Sequence, residues 1–411
     1  MGLEDTLTKF FTHNAHLIES SKSINIFDYF TYFFYFLFIF FQVISNSSWH
    51  FFINLGDLAS PLSRTNIFFL IVLFLISCLR DWNIKQFIVT MVLTFILLAY
   101  FLKYGSNLFS VFLVLVLVGM AINPVKLLKI DFYARLFSVL LIIFLSLIGI
   151  LPKSGNAGSY TDFYYSVFLY GFTWSPILGY LILIIFLEFI LLFKIKKSVL
   201  VATTILYVFF QLSIGYMTGI IGGAMAIILL FLSRHKFFNL PSLALLTYPF
   251  LFLVTVYVSI YYNSASSMWA LWNDITSFRI SIWQYYLQNW KINFFGNIIP
   301  DQSNIIGSTV LGHGALDGGY IFFLIKYGFL SIMIIYSLIV IVKYEYDNKI
   351  QKDISRNGFW IFVIISILTA FSETSSFLAY FSPFAALLGS LAFFNRDKLK
   401  IELEYRDKVI D

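Results

Sequence analysis

The sequence predicts an all-α polytopic integral membrane protein, a single transmembrane domain over residues 1–411 with about twelve spanning helices. Three observations predict it. Hydrophobic residues make up 60% of the chain and charged residues only 12%, well below the roughly 25% charged residues of a soluble domain. Apolar runs of about 16 to 22 residues, each long enough to cross roughly 30 Å of hydrocarbon as a helix, recur from Phe27 to Phe394. Runs such as "LFSVFLVLVLVGMAI" lack the alternation of apolar and polar residues that a barrel strand needs.

Taken in order, the runs place spans at 27–45, 65–79, 86–102, 107–122, 134–151, 174–193, 199–213, 217–232, 243–262, 319–342, 357–372 and 378–394. The polar start of the chain lacks the order of a cleavable signal peptide and is read as mature sequence. With an even number of spans and both termini cytoplasmic, most of the 27 Lys and Arg fall on the inner side, Arg135 among them. The net charge of +6 is therefore explained by topology, and nucleic acid is not an expected partner. Residues 395–411 form a cytoplasmic tail, and the outer segments are 46–64, 152–173 and 263–318. The last is the longest and is rich in Trp, Tyr and Asn. Its stretch "LWNDITSFRISIWQYYLQNW" reads as an amphipathic helix along the outer interface, with Ile275, Phe278, Ile282 and Trp283 at helical spacing.

Ionisable groups near the outer ends of the spans are the candidates for chemistry, because a charge there is costly to keep. Arg279 is either an interfacial anchor paired with Asp274 or a forked donor to a phosphate. In "LGHGALDGGYIFFLIKYGFL" (311–330), Gly312, Gly314, Gly318 and Gly319 permit tight turns, and Asp317 is a helix N-cap, a general base, or both. His313 is a second candidate base or an incidental loop residue. Lys326 either snorkels or lines a polar cavity, with Tyr320 and Tyr327 on the same span. Arg64 is a candidate second phosphate ligand. Glu373 reads as part of a solvated turn, and Glu188 as snorkelling to the cytoplasm. Gly-rich "GYMTGIIGGAM" reads as close helix packing. No HxxxH, CxxC or DxD spacing occurs, so neither a metal nor another cofactor is expected. The lone Cys78 excludes an internal disulfide.

From about residue 165 to 392 the chain resembles the O-antigen and exopolysaccharide polymerase (Wzy-like) family and its O-antigen ligase relatives. "SFRISIW…FFGN" is similar to the family's Arg-x-x-Ile-Trp and Phe-Gly elements. "LDGGYIFFLIKYGFL" is similar to its Asp-Asn-x-Tyr-Leu…Tyr-Gly pattern, with Asp317, Tyr320 and Gly328 in place. The chain departs from the family elsewhere. "YGFTWSPILG" keeps Gly171, Phe172 and Pro176 but not the family's His and Asn, and "GYMTGIIG" keeps Thr218 and Gly219 without the Arg.

The resemblance implies a GT-C-like glycosyltransferase of the bacterial cytoplasmic membrane, working on its outer face. Its substrate would be an undecaprenyl-pyrophosphate-linked oligosaccharide, and its partners membrane lipid, a chain-length regulator and a flippase. Asp317 would be the base, with His313 in reserve. Arg279, assisted by Arg64 or Lys326, would hold the pyrophosphate, and Trp283 with Trp269 and Trp272 would face sugar rings. A ligase uses the same chemistry. A flippase or other transporter would need several cations mid-span, where the sequence places only Lys326.

Overall fold

The computed structural model describes residues 26–48, 56–80, 82–105, 107–157, 165–172, 174–193, 195–233, 235, 238–299, 316–349, 354–378 and 380–394. It is a helical bundle. The helices are α1 (Ile26–Ser45), α2 (Gly56–Cys78), α3 (Ile84–Tyr104), α4 (Leu108–Gly119), α5 (Pro124–Leu147), α6 (Ser175–Leu192), α7 (Lys197–Ile214), α8 (Met217–Leu232) and α9 (Leu240–Tyr261). After them come α10 (Ser267–Ile275), α11 (Arg279–Asn289), α12 (Gly319–Phe322), α13 (Phe329–Lys349), α14 (Ile354–Thr369) and α15 (Phe384–Phe393). Among the described residues, six helices are long and apolar enough to cross a membrane: α1, α3, α5, α6, α7 and α9. Large apolar side chains stand exposed along several of them, Phe95 at 74% and Leu246 at 70%. Apolar faces of that kind are what a lipid-facing helix presents.

The centre of the bundle is α4 packed against α15. Every residue of α4 from Phe109 to Gly119 is buried, and so is all of α15, as expected of helices that are apolar on every face. Their contact is close because both carry a glycine at the crossing. A Cβ on Gly119 would meet the Ala386 carbonyl oxygen at 1.9 Å, and one on Gly389 the Val116 carbonyl oxygen at 2.1 Å. Around this pair, α1 packs on α2 and α5, α5 on α6, and α14 on α6, α8 and α9.

Several expectations need correction. The fifth span was expected over 134–151, but α5 starts at Pro124, whose fixed φ suits a first helical position, with Asn123 capping the next amides. Arg135 therefore lies mid-helix and fully buried rather than in a cytoplasmic loop. Glu188, expected to snorkel, is also 0% exposed. The 152–173 segment includes an antiparallel hairpin, β1 (Ser154–Ala157) with β2 (Tyr165–Phe168). The tenth span is not one helix. It runs as α12, a π-helical turn over Phe323–Tyr327, a break at Gly328 (φ +82°) and then α13, and such π turns interrupt the regular ladder.

Among its described residues, the segment 263–318 holds two helices, α10 and α11, where one amphipathic helix was expected. The break lies at Ser277 and Phe278, both left-handed at φ +54° and +62°, a conformation that costs a non-glycine residue energy. The exposed apolar stripe of Met268, Leu271, Trp272 and Ile275 belongs to α10, which matches an interfacial helix. Ile282 and Trp283 of α11 turn into the core instead.

Candidate functional site

Arg279 sits at the first position of α11, just after the left-handed pair. Asn273, buried at the end of α10, fixes this junction: its backbone carbonyl accepts the Phe278 N–H at 2.7 Å and its side-chain oxygen accepts the Ser281 N–H at 2.9 Å. The strained turn therefore aims the guanidinium inward. Arg279 Nη2 donates to Asp317 Oδ2 and to Glu373 Oε1, both at 3.0 Å, and Nη1 donates to the Thr276 carbonyl.

Asp317 precedes α12 and does not simply cap it. Its Oδ1 accepts the Gly318 N–H at 2.9 Å, the Thr374 N–H at 2.9 Å and the Thr374 hydroxyl at 3.0 Å. Its backbone carbonyl accepts the Trp283 indole N–H at 2.5 Å. Only glycine fits the next position, since Gly318 has φ +97° and a Cβ there would meet Trp283 Nε1 at 2.8 Å. Trp283 thus acts as a brace for the Asp317 backbone.

Glu373 was read as a solvated turn, and the structure places it in the site. Its side chain is 4% exposed, against 33% for Asp317 and 17% for Arg279. The Thr218 hydroxyl donates to Glu373 Oε1 at 3.2 Å, and the buried Tyr216 hydroxyl lies beside it. Burial first, and then the Asp317 charge, push the Glu373 carboxyl up to about 8, with Arg279 opposing. Burial also works against the charge on Arg279, but Glu373 and Asp317 outweigh it and hold the guanidinium above its usual value. One cation facing two carboxyls explains both shifts: when Glu373 holds a proton, the three groups are neutral together.

The two motif stretches dock on one another. Asn297 N donates to the Ile325 carbonyl at 3.0 Å, Phe329 N to Asn293 O at 3.0 Å and Leu330 N to Phe294 O at 3.1 Å. Two positive-φ glycines permit this contact: a Cβ on Gly328 would meet Gly296 N at 2.2 Å, and one on Gly296 the Lys326 carbonyl oxygen at 2.3 Å. "FFGN" is therefore the seat of the helix break in "IKYGFL".

No protein-family model, curated protein or solved structure matches the chain. The site is accordingly read from its own geometry. Asp317, Arg279 and Trp283 come together. Tyr320 instead turns into the core, its hydroxyl donating to the Ile367 carbonyl at 3.0 Å. Lys326 is half-buried, with its ammonium 5.2 Å from the centre of the Phe322 ring. Arg64 is an exposed residue of α2, and among the described residues no ion pair or hydrogen bond joins it to the Arg279 cluster. His313 lies outside the described residues. Among the described residues no group of His, Cys, Asp and Glu is suited to hold a metal. Sequence reasoning missed Glu373 and the contact it receives from Thr218. The available signal was an acid set among serines and threonines in "FSETSSF", between two apolar runs.

Proposed function

We propose that the chain is a polysaccharide repeat-unit polymerase, a glycosyltransferase that joins lipid-pyrophosphate-linked glycan to a lipid-linked repeat unit on the outer face of the cytoplasmic membrane. The observation that carries this reading is the Arg279 guanidinium held between the half-exposed Asp317 carboxylate and the buried Glu373 carboxyl, above a bundle of apolar helices. In the reaction an acceptor hydroxyl oxygen bonds to the anomeric carbon of the donor sugar. The bond from that carbon to the pyrophosphate oxygen breaks, and its electron pair leaves with the pyrophosphate. The hydroxyl proton passes to Asp317, the more accessible of the two carboxyls. Arg279 faces the charge that grows on the leaving group.

Glu373 supports this chemistry from behind. Carrying a proton at neutral pH, it leaves Arg279 with one counter-charge rather than two, so the guanidinium keeps attraction for an anion. The membrane itself would hold the polyprenyl carrier along the exposed apolar helix faces, and α10 would lie in the outer interface. A ligase would share this chemistry and differ in its acceptor.

The glycan made by a deletion strain carrying the chain or its variants tests the reading. Loss of a polymerase leaves single repeat units on the carrier or on the outer acceptor, whereas loss of a flippase traps units inside. Single units exposed outside are the expected result; units confined to the cytoplasmic side would assign transport instead.

A further inference from the structure

A second polar cluster lies inside the bundle, away from the Arg279 site. Asp131 and Arg135 are one turn apart on α5, both 0% exposed, and they pair through Arg135 Nε to Oδ2 and Nη2 to Oδ1, the latter at 3.1 Å. The Tyr35 hydroxyl of α1 donates to the same Oδ1 at 2.9 Å. Arg135 Nη1 donates to the Tyr380 carbonyl at 3.2 Å. Asp131 and Arg135 are thus matched, charge for charge.

Glu188, from α6, is the residue left over. It is 0% exposed, and among the described residues neither carboxyl oxygen meets a hydrogen-bond donor. The groups that act on it are the Asp131 carboxyl and the Arg135 guanidinium, and Tyr35 completes the set. Of the other helices packed on α6, α8 carries no charged residue, Lys197 of α7 is exposed, and α14 carries a single charged residue, Arg356 in its first turn, with none from Gly358 to Thr369. An ionised Glu188 would therefore put a second negative charge beside one already paired cation, with no donor to satisfy it. Such a charge is far too costly to keep in an apolar interior. Two carboxyls face to face are bonded only by a proton.

We propose that Glu188, Asp131 and Arg135 form an intramembrane proton-binding site, in which one proton resides on Glu188 and faces the Asp131 carboxylate. Binding takes H+ from a hydronium ion of the solvent, breaking one of its O–H bonds and releasing water, and forms one O–H bond on a Glu188 oxygen. The site lies where α1, α5 and α6 meet, and Arg135 ties it to the Tyr380 backbone, a few residues beyond Glu373. When Glu188 loses its proton it competes with the Tyr380 carbonyl for Arg135. This inference goes beyond the polymerase reading and does not depend on it.

Infrared spectroscopy of the full-length protein in lipid tests the site without any activity assay. The Glu373→Gln variant silences the buried acid of the Arg279 site; Glu345, the other buried glutamate among the described residues, is ion-paired with Lys85. In that protein at neutral pH, with N-methylglucamine as the cation, a protonated-carboxyl stretch is expected that shifts in deuterium oxide and with glutamate 13C-labelled at its side-chain carboxyl. Adding Glu188→Gln is expected to remove it. Should the double variant fail to fold, Glu188→Asp in the same background is expected to abolish the glutamate isotope shift of the acid band, and a shift that persists would overturn the proposal. No labelled acid band at neutral pH, or a band that survives Glu188→Gln, would overturn the proposal. A band that vanishes when sodium replaces N-methylglucamine at equal ionic strength would overturn it in favour of a metal-cation site.

Discussion

Asp317 and Glu373 share one nitrogen of Arg279, at 3.0 Å each, although one precedes α12 and the other follows α14. Their burial differs, 33% against 4%, and this asymmetry gives two carboxyls two tasks. In the proposed reaction the more open one meets the acceptor hydroxyl, and the closed one, when protonated, leaves the arginine a single counter-charge.

Glu373 makes stability depend on pH in a definite direction. Its carboxyl is raised from 4.5 to about 8 in the folded chain, so between those values the folded state holds a proton that the unfolded state lacks. Stability is greatest below about 4.5 and is lost as pH rises to about 8. The thermal midpoint in detergent is predicted to fall across this window. Glu373→Gln should flatten that component; an unchanged slope would mean that Glu373 is ionised throughout.

Arg279→Lys is predicted to recover little of the polymer lost in Arg279→Ala. One ammonium cannot reach Asp317, Glu373 and the Thr276 carbonyl in the planar geometry of a guanidinium. Chain length in complemented cells, corrected for protein level, measures it. Near-normal polymer from the lysine variant would reduce Arg279 to a point charge.

Gly389→Ala is predicted to destabilise the bundle by roughly 1–3 kcal/mol, the usual cost of overpacking, because its Cβ would meet the Val116 carbonyl oxygen at 2.1 Å. Gly105→Ala is the contrast. No atom lies within 4 Å of its Cβ position, so only its φ of +67° opposes the change. Thermal unfolding of both variants should rank Gly389→Ala as the more damaging, and the reverse order would mean that α4 and α15 are not closely packed.

The outer position proposed for α10 can be tested by labelling. In a Cys78→Ala background, Ser267→Cys is predicted to react with an impermeant thiol reagent on intact cells. Reaction only after lysis would invert the orientation and with it the proposed reaction.

The positions of the helices were legible because apolar runs record them directly. Each of the twelve expected spans overlaps an observed helix, though six are long enough to cross a membrane by length and composition. What stayed hidden were long-range pairings. Arg135 looked like a loop cation because nothing local marks its contact with Tyr380, and Glu188 looked like a snorkelling acid because the group that faces it lies on α5. Arg279 and Asp317 were singled out by residue type and by flanking motif. Glu373 was passed over because its cation lies 94 residues away in sequence. The π turn before Gly328 is likewise invisible in hydropathy, since it is imposed by the docking of "FFGN" against the span.

The central claim is that Asp317 takes the acceptor proton, and Asp317→Asn tests it most directly, because Asn keeps the shape and the hydrogen bonds that Thr374 and Gly318 donate but is no base. The measurement is chain extension by purified protein in lipid vesicles supplied with lipid-pyrophosphate-linked repeat units, resolved by length. The account predicts that wild type builds a ladder while Asp317→Asn, equally folded and inserted, slows extension by about 10²-fold or more. A ladder of normal length and rate from Asp317→Asn would contradict it.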